Sequence, residues 1–210
     1  MERTFDHIFN IGDLKVARIV VNSLRVNTYI VFDQKGSGIV IDCGVRRENE
    51  QQRFVNIITE HHITPKFNLI THAHFDHIWG AQWLYDTYGV LPTIPELELN
   101  NYNSAEEMLQ KVLHRPIKLP LPAMPHILSS GTVANFKVIH TPGHTRGSVC
   151  YYDNNHRILF CGDTLFKEFT GLPKEEGLTL ELIQQSIRGR IHTLPVGTLA
   201  LPGHGPEFYI

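Results

Sequence analysis

The chain is short of several things that would point to particular functions. It has three cysteines in 210 residues, Cys43, Cys150 and Cys161, at unrelated spacings. That excludes a disulfide framework and fits a reducing cytoplasm. It has no surplus of positive charge: 19 Lys and Arg face 21 Asp and Glu, giving a net charge of -2. Without a basic field, nucleic acid is not an expected partner. No apolar run approaches the roughly 20 residues that a helix needs to cross a bilayer. The opening "MERTFDHIFN" carries acidic groups and no apolar stretch of the kind a signal peptide needs. A cytoplasmic location and no membrane partner are the expectations. What remains is 42% hydrophobic residues, enough for a core, and 13 histidines. The length fits one domain over residues 1–210.

Short β-branched runs come first: "KVARIVV", "NTYIVFD" and "SGIVIDCG", separated by turn residues, read as a strand meander. Phe54, Val55 and Ile58 recur at helical spacing and predict a helix over residues 45–62, ended by Pro65. "FNLI" reads as a buried strand, and residues 78–89 as one helix closed by Gly89, with Trp79 and Trp83 packing one face into the core. Six of the twelve prolines fall in residues 92–125. That segment reads as an irregular connection over the surface or as a substrate-facing insertion, around one helix, "SAEEMLQKVLH", that Ser104 could cap and Glu107 box. Strands return in "NFKVIHT", "SVCYYD" and "RILFCGD", followed by a helix over residues 179–192 and a last strand in "TLALPGHG". "YIVFDQKGSGIVIDCG" and "CYYDNNHRILFCGD" echo one another, which suggests two related halves with a sheet each.

The chemistry gathers in "LITHAHFDHIWG". His72, His74, Asp76 and His77 fall within six residues behind an apolar run. On a helix, residues two apart lie on nearly opposite sides, so His72 and His74 converge only from a loop at a strand end. Imidazole and carboxylate at this density are ligands for zinc, iron or manganese. "HTPGHTRGS" places His144, "FCGDTLF" places Asp163 and "LALPGHGP" places His204, each where a strand leaves a sheet. Pro142-Gly143 and Pro202-Gly203 read as tight turns that aim the following histidines.

The ordered series "THAHFDH", "TPGHT", "GDTLF" and "PGHG" resembles the metallo-β-lactamase superfamily, with its glyoxalase II-like thioesterase branch the nearest match. The resemblance implies an α/β fold, a four-layer αββα sandwich, with two divalent ions at one edge of the sheets. Zinc is the first expectation, iron or manganese the alternatives. It implies His72, His74 and His144 at the first ion, Asp76, His77 and His204 at the second, and Asp163 bridging both. Asp42, in "IDCG", resembles the superfamily's aspartate that orients a metal-bound histidine; a turn-capping role fits it equally. Many lactamases of the superfamily carry cysteine where Asp163 stands, so the chain departs from the antibiotic-cleaving pattern. The resemblance further implies hydrolysis of a small, anionic thioester such as an acyl-glutathione. A metal-bridging hydroxide, held also by Asp76, would attack the carbonyl. No general acid stands beside these motifs, which suits a thiolate leaving group; Tyr88, Tyr102 and Lys167 are the distant candidates. Relatives that hydrolyse hydroxyacylglutathione carry a further helical region that contacts glutathione, and only "GPEFYI" follows His204 here. The stretch "KEFTGLPKEEG" also lacks a clear match to their glutathione-contacting segment, though Lys167 and Lys174 stand in it. Rival readings are a lactonase or phosphodiesterase of the same superfamily, a mononuclear iron persulfide dioxygenase and a metal-binding scaffold without turnover.

Overall fold

The computed structural model describes residues 6–210; residues 1–5, part of the stretch weighed above as a signal peptide, lie outside it. In the first half, strands β1 (His7–Ile11), β2 (Leu14–Val21), β3 (Val26–Asp33) and β4 (Ser37–Ile41) form an antiparallel meander. Helix α1 (Glu48–Glu60) then crosses over to β5 (Thr64–Leu69), which runs parallel to β4. The short helix α2 (Phe75–Ile78) and α3 (Ala81–Tyr88) lead to β6 (Pro92–Pro95). A 3-10 turn, Glu96–Glu98, and α4 (Leu99–Leu113) precede β7 (His126–Leu128). These seven strands make one sheet in sequence order.

The second sheet holds β8 (Thr132–Val133), β9 (Phe136–His140), β10 (Val149–Asp153) and β11 (Ile158–Gly162), each antiparallel to the next. Helix α5 (Leu180–Ser186) crosses to β12 (Leu199–Pro202), parallel to β11, and β13 (Phe208–Tyr209) closes the edge. The echo in the sequence is therefore structural. Each half sets an antiparallel hairpin beside a parallel strand reached through a helix. Asp33 and Asp153 do the same work in the two hairpin turns, accepting from Lys35 N and Asn155 N respectively.

The layers follow from which face each side chain takes. Val31, Ile41, Leu69, Tyr151, Phe160 and Leu201 fill the space between the sheets. On the outer face of the first sheet, Ile30 and Val40 meet Phe54 and Ile58 of α1 and Leu84 of α3. On that of the second, Cys150 and Leu159 meet Ile183 of α5. Helix, sheet, sheet and helix stack in that order, as the resemblance implies.

Several expectations need correction. Residues 78–89 do not form one helix: a Cβ at Gly80 would crowd Val45 O and Cys43 Sγ, and the chain breaks there. Trp79 consequently packs with Phe75 while Trp83 packs with Phe54, in separate clusters. The segment 92–125 is no mere surface connection. β6 is buried along its length between β5 and β7, and Tyr102, Ala105 and Leu109 form the buried stripe of α4. Because α4 continues from the 3-10 turn, Ser104 lies inside it, donating to Asn100 O, and Glu107 pairs with Lys111 instead of closing a capping box. The helix at 179–192 starts where expected, with Thr179 Oγ1 accepting from Leu182 N, but widens into a π-turn over Ile187–Ile191.

Two tyrosines tie the sheets across the core. Tyr151 OH donates to Ile70 O at 2.8 Å and Tyr29 OH donates to Pro202 O at 2.7 Å. Both acceptors sit just before the histidine-bearing loops. Tyr151→Phe would strand a buried carbonyl, which costs on the order of 1–3 kcal/mol. Urea unfolding of the variant is expected to show a loss in that range with an unchanged slope, and an unshifted midpoint would show that the bond contributes nothing.

At the opposite end of the strands His156 bridges Asp13 and Asp153, with ring nitrogens 2.7 Å from each carboxylate. Burial disfavours its charge, but the two carboxylates outweigh burial and raise its pKa. A group whose pKa is raised on folding stabilises fully below its unfolded value, about 6.5, and the contribution drains away as pH rises through the folded value. The NMR titration of His156 is therefore expected to have a midpoint above about 6.5 that falls in Asp13→Asn; a wild-type midpoint at or below 6.5 would contradict the clasp.

Candidate metal centre

The seven residues singled out by the sequence meet at one edge of the two sheets. β5 delivers His72 and His74 beyond its last residue, and α2 presents Asp76 and His77. The β9–β10 connection carries His144, and Asp163 and His204 follow β11 and β12. Every strand concerned points the same end at this edge, which is why residues 132 positions apart in sequence become neighbours.

Three ring nitrogens form the first group. His74 Nδ1 lies 3.0 Å from His72 Nε2 and 3.0 Å from His144 Nε2. The far nitrogens show which atoms carry protons. His144 Nδ1 donates to Leu172 O at 2.7 Å. Thr71 Oγ1 donates to Asp42 Oδ2 at 2.7 Å and so accepts from His72 Nδ1, 3.1 Å away. Both Nε2 atoms therefore turn lone pairs on His74 Nδ1, and a single proton there satisfies only one of them. Burial and the neighbouring imidazoles lower the pKa of His72, and burial first of all takes that of His74 down to about 3. Protonation does not resolve the conflict; a cation between the three nitrogens does.

Asp76, His77 and His204 form the second group. His204 Nε2 is 3.3 Å from Asp76 Oδ2, and His77 Nε2 is 3.8 Å from the same oxygen. His77 Nδ1 donates to Asp42 Oδ2 at 2.9 Å, leaving Nε2 buried with no hydrogen-bond partner. Facing it at 3.5 Å is Asp163 Oδ1, equally buried and unpartnered. Asp163 Oδ2 lies 3.6 Å from His144 Nε2 and 3.6 Å from His204 Nε2, so the one carboxylate addresses both groups. Burial alone would push Asp163 up and His77 down; their mutual attraction overrides it, lowering Asp163 and raising His77 together with the other carboxylates around it. The donor set, the spacing and the orphaned atoms fit two cations, with candidate ligand triplets His72, His74, His144 and Asp76, His77, His204, and a third, His72, His77, Asp163, between them.

Asp42 bonds a histidine of the candidate ligand set. Its backbone is left-handed, with φ of 53°, at the turn after β4, and its carboxylate accepts from Thr71 N, Thr71 Oγ1 and His77 Nδ1. Gly203 is a glycine for want of space: a Cβ there would run into Asp163 Oδ1 and His77 Cε1. Gly143, at φ of 143°, is a tight-turn glycine as expected, and it also lies against Ile183. Tyr102 gives its hydroxyl to Pro122 O, and Tyr88 packs beside Phe54 and Trp83, so neither serves as an acid at this edge.

Sequence reasoning missed three supports. Thr71 stood beside His72 and was within reach of inspection. The carbonyl of Leu172 has no side-chain signature. Glu98, fully buried, accepts from Ala73 N at 2.7 Å and Gly147 N at 2.9 Å. It comes from the proline-rich segment, where no motif marked it.

Comparison with known proteins places this geometry. The family model described as "Metallo-beta-lactamase superfamily" matches residues 21–204. A Mycobacterium leprae protein, ML0493, is 33% identical, with 87% of each chain covered. The hydroxyacylglutathione hydrolase GloC of Haemophilus influenzae is 26% identical, with 91% of each covered. Among solved structures, the BLEG-1 B3 metallo-beta-lactamase superposes with a TM-score of 0.81 at 30% identity, over 92% of this chain and 93% of that one. TTHA1623 in a di-iron-bound form superposes with a TM-score of 0.79 at 29% identity, over 91% and 93%. With that match spanning the first ligand motif to the last, the chain belongs to the metallo-beta-lactamase superfamily of metallo-hydrolases.

Proposed function

We propose that the protein is a dinuclear metallo-hydrolase acting on a small thioester. The observation that carries this reading is the pair of buried donor groups sharing Asp163, each with lone pairs or carboxylates turned on one another. His72, His74 and His144 would hold one ion, Asp76, His77 and His204 the other, and Asp163 both. Imidazole and carboxylate oxygen suit zinc, and iron is the alternative that the di-iron relative supports. When bound, such ions lower the pKa of water toward neutrality and polarise a carbonyl oxygen.

The chain's own residues do the rest. Asp76, buried and hydrogen-bonded toward His204, would orient the attacking water by accepting a hydrogen bond from it. Asp42 and Thr71 keep His77 and His72 in the tautomers that leave Nε2 free. The site opens where the side chain of His204 is 27% exposed, and Phe166 lies beside that ring, 6.4 Å between centroids. Phe169 stacks on Phe166, and Leu172 follows with its side chain in solvent, a short apolar wall for an acyl or thiol chain. Lys174 lies near enough to bear on His144 and gives the wall one positive charge, which favours an anionic substrate. Tyr88 and Tyr102 are engaged elsewhere and do not protonate a leaving amine, whereas a thiol, with a pKa near 8.5, leaves as the thiolate. The hydroxyacylglutathione hydrolase relative supports the same class of reaction.

Metal analysis on purified protein, paired with a panel of thioesters, lactones, cyclic nucleotides and a β-lactam, is the test. Two ions per chain and preferential thioester turnover are expected. One iron per chain with oxygen uptake would replace the reading with a dioxygenase, and turnover confined to another panel member would reassign the substrate. Asp163→Ala is expected to abolish hydrolysis and release at least one ion while circular dichroism stays native; undiminished turnover would refute the shared carboxylate. Gly203→Val should displace Asp163 and His77 and cost the second ion in particular. Full metal content in that variant would show that the close approach is not required.

A further inference from the structure

Glu98 sits at the end of the 3-10 turn, between β6 and α4, and is wholly inaccessible to solvent. Its Oε2 accepts from Ala73 N at 2.7 Å, and Ala73 is the residue between His72 and His74. Its Oε1 accepts from Gly147 N at 2.9 Å, three residues beyond His144. Asn101 Nδ2 donates to Oε2 at 3.1 Å, and the same amide nitrogen lies 2.8 Å from Glu175 Oε1. One carboxylate, carried by a third element, thus clasps the two loops that supply all three nitrogens of the first donor group. The approach is close enough to dictate a neighbouring residue: a Cβ on Gly147 would lie 2.6 Å from Oε1 and 2.7 Å from Glu98 Cγ.

Glu98 has no cationic side chain within ion-pair distance among the described residues, only three N–H donors. Burying a carboxylate without a counter-charge is costly, and N–H donors compensate it only in part. The arrangement makes physical sense where a cation is bound nearby. None of the hydrogen bonds of Glu98 reaches Asp76, His77 or His204. Asp42 bonds His77 of the second group directly and reaches the first group only through Thr71.

We infer that Glu98 is a positioning residue for one half of the centre: by holding the 72–74 and 144–147 loops at fixed separation, it sets metal affinity at the His72, His74, His144 group and leaves the other group alone. The inference rests on the dinuclear reading above. It also gives one residue of the 92–125 segment a part in the centre, since the 3-10 turn after β6 carries this side chain to both ligand loops.

Zinc affinity, measured by competition with a chromophoric chelator in two single-group backgrounds, tests it. His204→Ala disables the second group and His74→Ala the first. Adding Glu98→Gln, which keeps the shape but turns an N–H₂ toward a backbone N–H, is expected to weaken zinc by about 10–100-fold in the His204→Ala background. In the His74→Ala background it should change affinity less than about twofold, the scatter expected of an uncoupled site. Equal losses in both backgrounds, or none in either, would overturn the inference while leaving the dinuclear reading intact. Failure of His204→Ala alone to bind zinc would overturn the reading and the inference with it. Thermal melts of the metal-free variants check folding. If Glu98→Gln does not fold, Gly147→Ala, which keeps the carboxylate but crowds Oε1, must give the same one-sided loss, and its absence would count against the inference.

Discussion

Buried lone pairs turned on one another are a debt that the fold cannot settle with its own atoms. In the first group, three imidazole nitrogens meet at hydrogen-bond distance with too few protons to go round. In the second, the unpartnered Nε2 of His77 faces Asp163 across 3.5 Å. Much of the architecture reads as the means of imposing this contact. The donors leave the ends of β5, β11 and β12 at one edge, and the tyrosine bonds to Ile70 O and Pro202 O fix the strand ends immediately upstream of His72 and His204. A fold with apolar layers between and outside its sheets can carry such a local conflict, because the stabilisation and the conflict lie in different places.

The two groups are electrostatically unlike. The first is three neutral imidazoles whose charged forms are disfavoured by burial. The second includes Asp76 and borders Asp163, and its histidines are drawn toward protonation. Asp42 couples them: one carboxylate bonds Thr71, which fixes His72 in the first group, and His77 in the second. Its left-handed backbone at the turn after β4 is what lets a residue from the first sheet face both.

The donors were legible because metal-ligand chemistry is concentrated in few residue types at short spacing, and because each follows an apolar strand whose period is visible. The strand meander, the doubled hairpin and α1 were legible for the same reason. What escaped notice was long-range or backbone-borne. Ser104 had the chemistry of a helix cap, yet the 3-10 turn ahead of α4 had already begun the helix, so tertiary context overrode a local signal. Gly80 gave no hint that its N–H would bond to Cys43 O, with Val45 O and Cys43 Sγ leaving no room for a side chain, where the helix divides in two. β6 was hidden because Pro92 and Pro95 flank it, and proline argues against a central strand; here the prolines stand at its two ends, with Thr93 and Ile94 between them. Glu98 is a partner to Ala73 and Gly147 only after three separate segments have folded.

The outer wall of the site shows how the fold separates order from recognition. Leu172 accepts the His144 Nδ1 proton with its carbonyl and leaves its side chain 59% exposed, and Phe169, 65% exposed, is exposed in the same loop. Because the bond to His144 is made by backbone, any residue able to adopt the same conformation would preserve it. The side chain at 172 is thereby free to change without disturbing the imidazole behind it. The loop itself is held by backbone bonds from Gly171 N to Thr164 O and from Lys174 N to His144 O, again independent of side-chain identity. In the proposed reading, then, the reaction is built into the strand ends and their supports, while the choice of acyl and thiol groups is carried by side chains that the centre does not need.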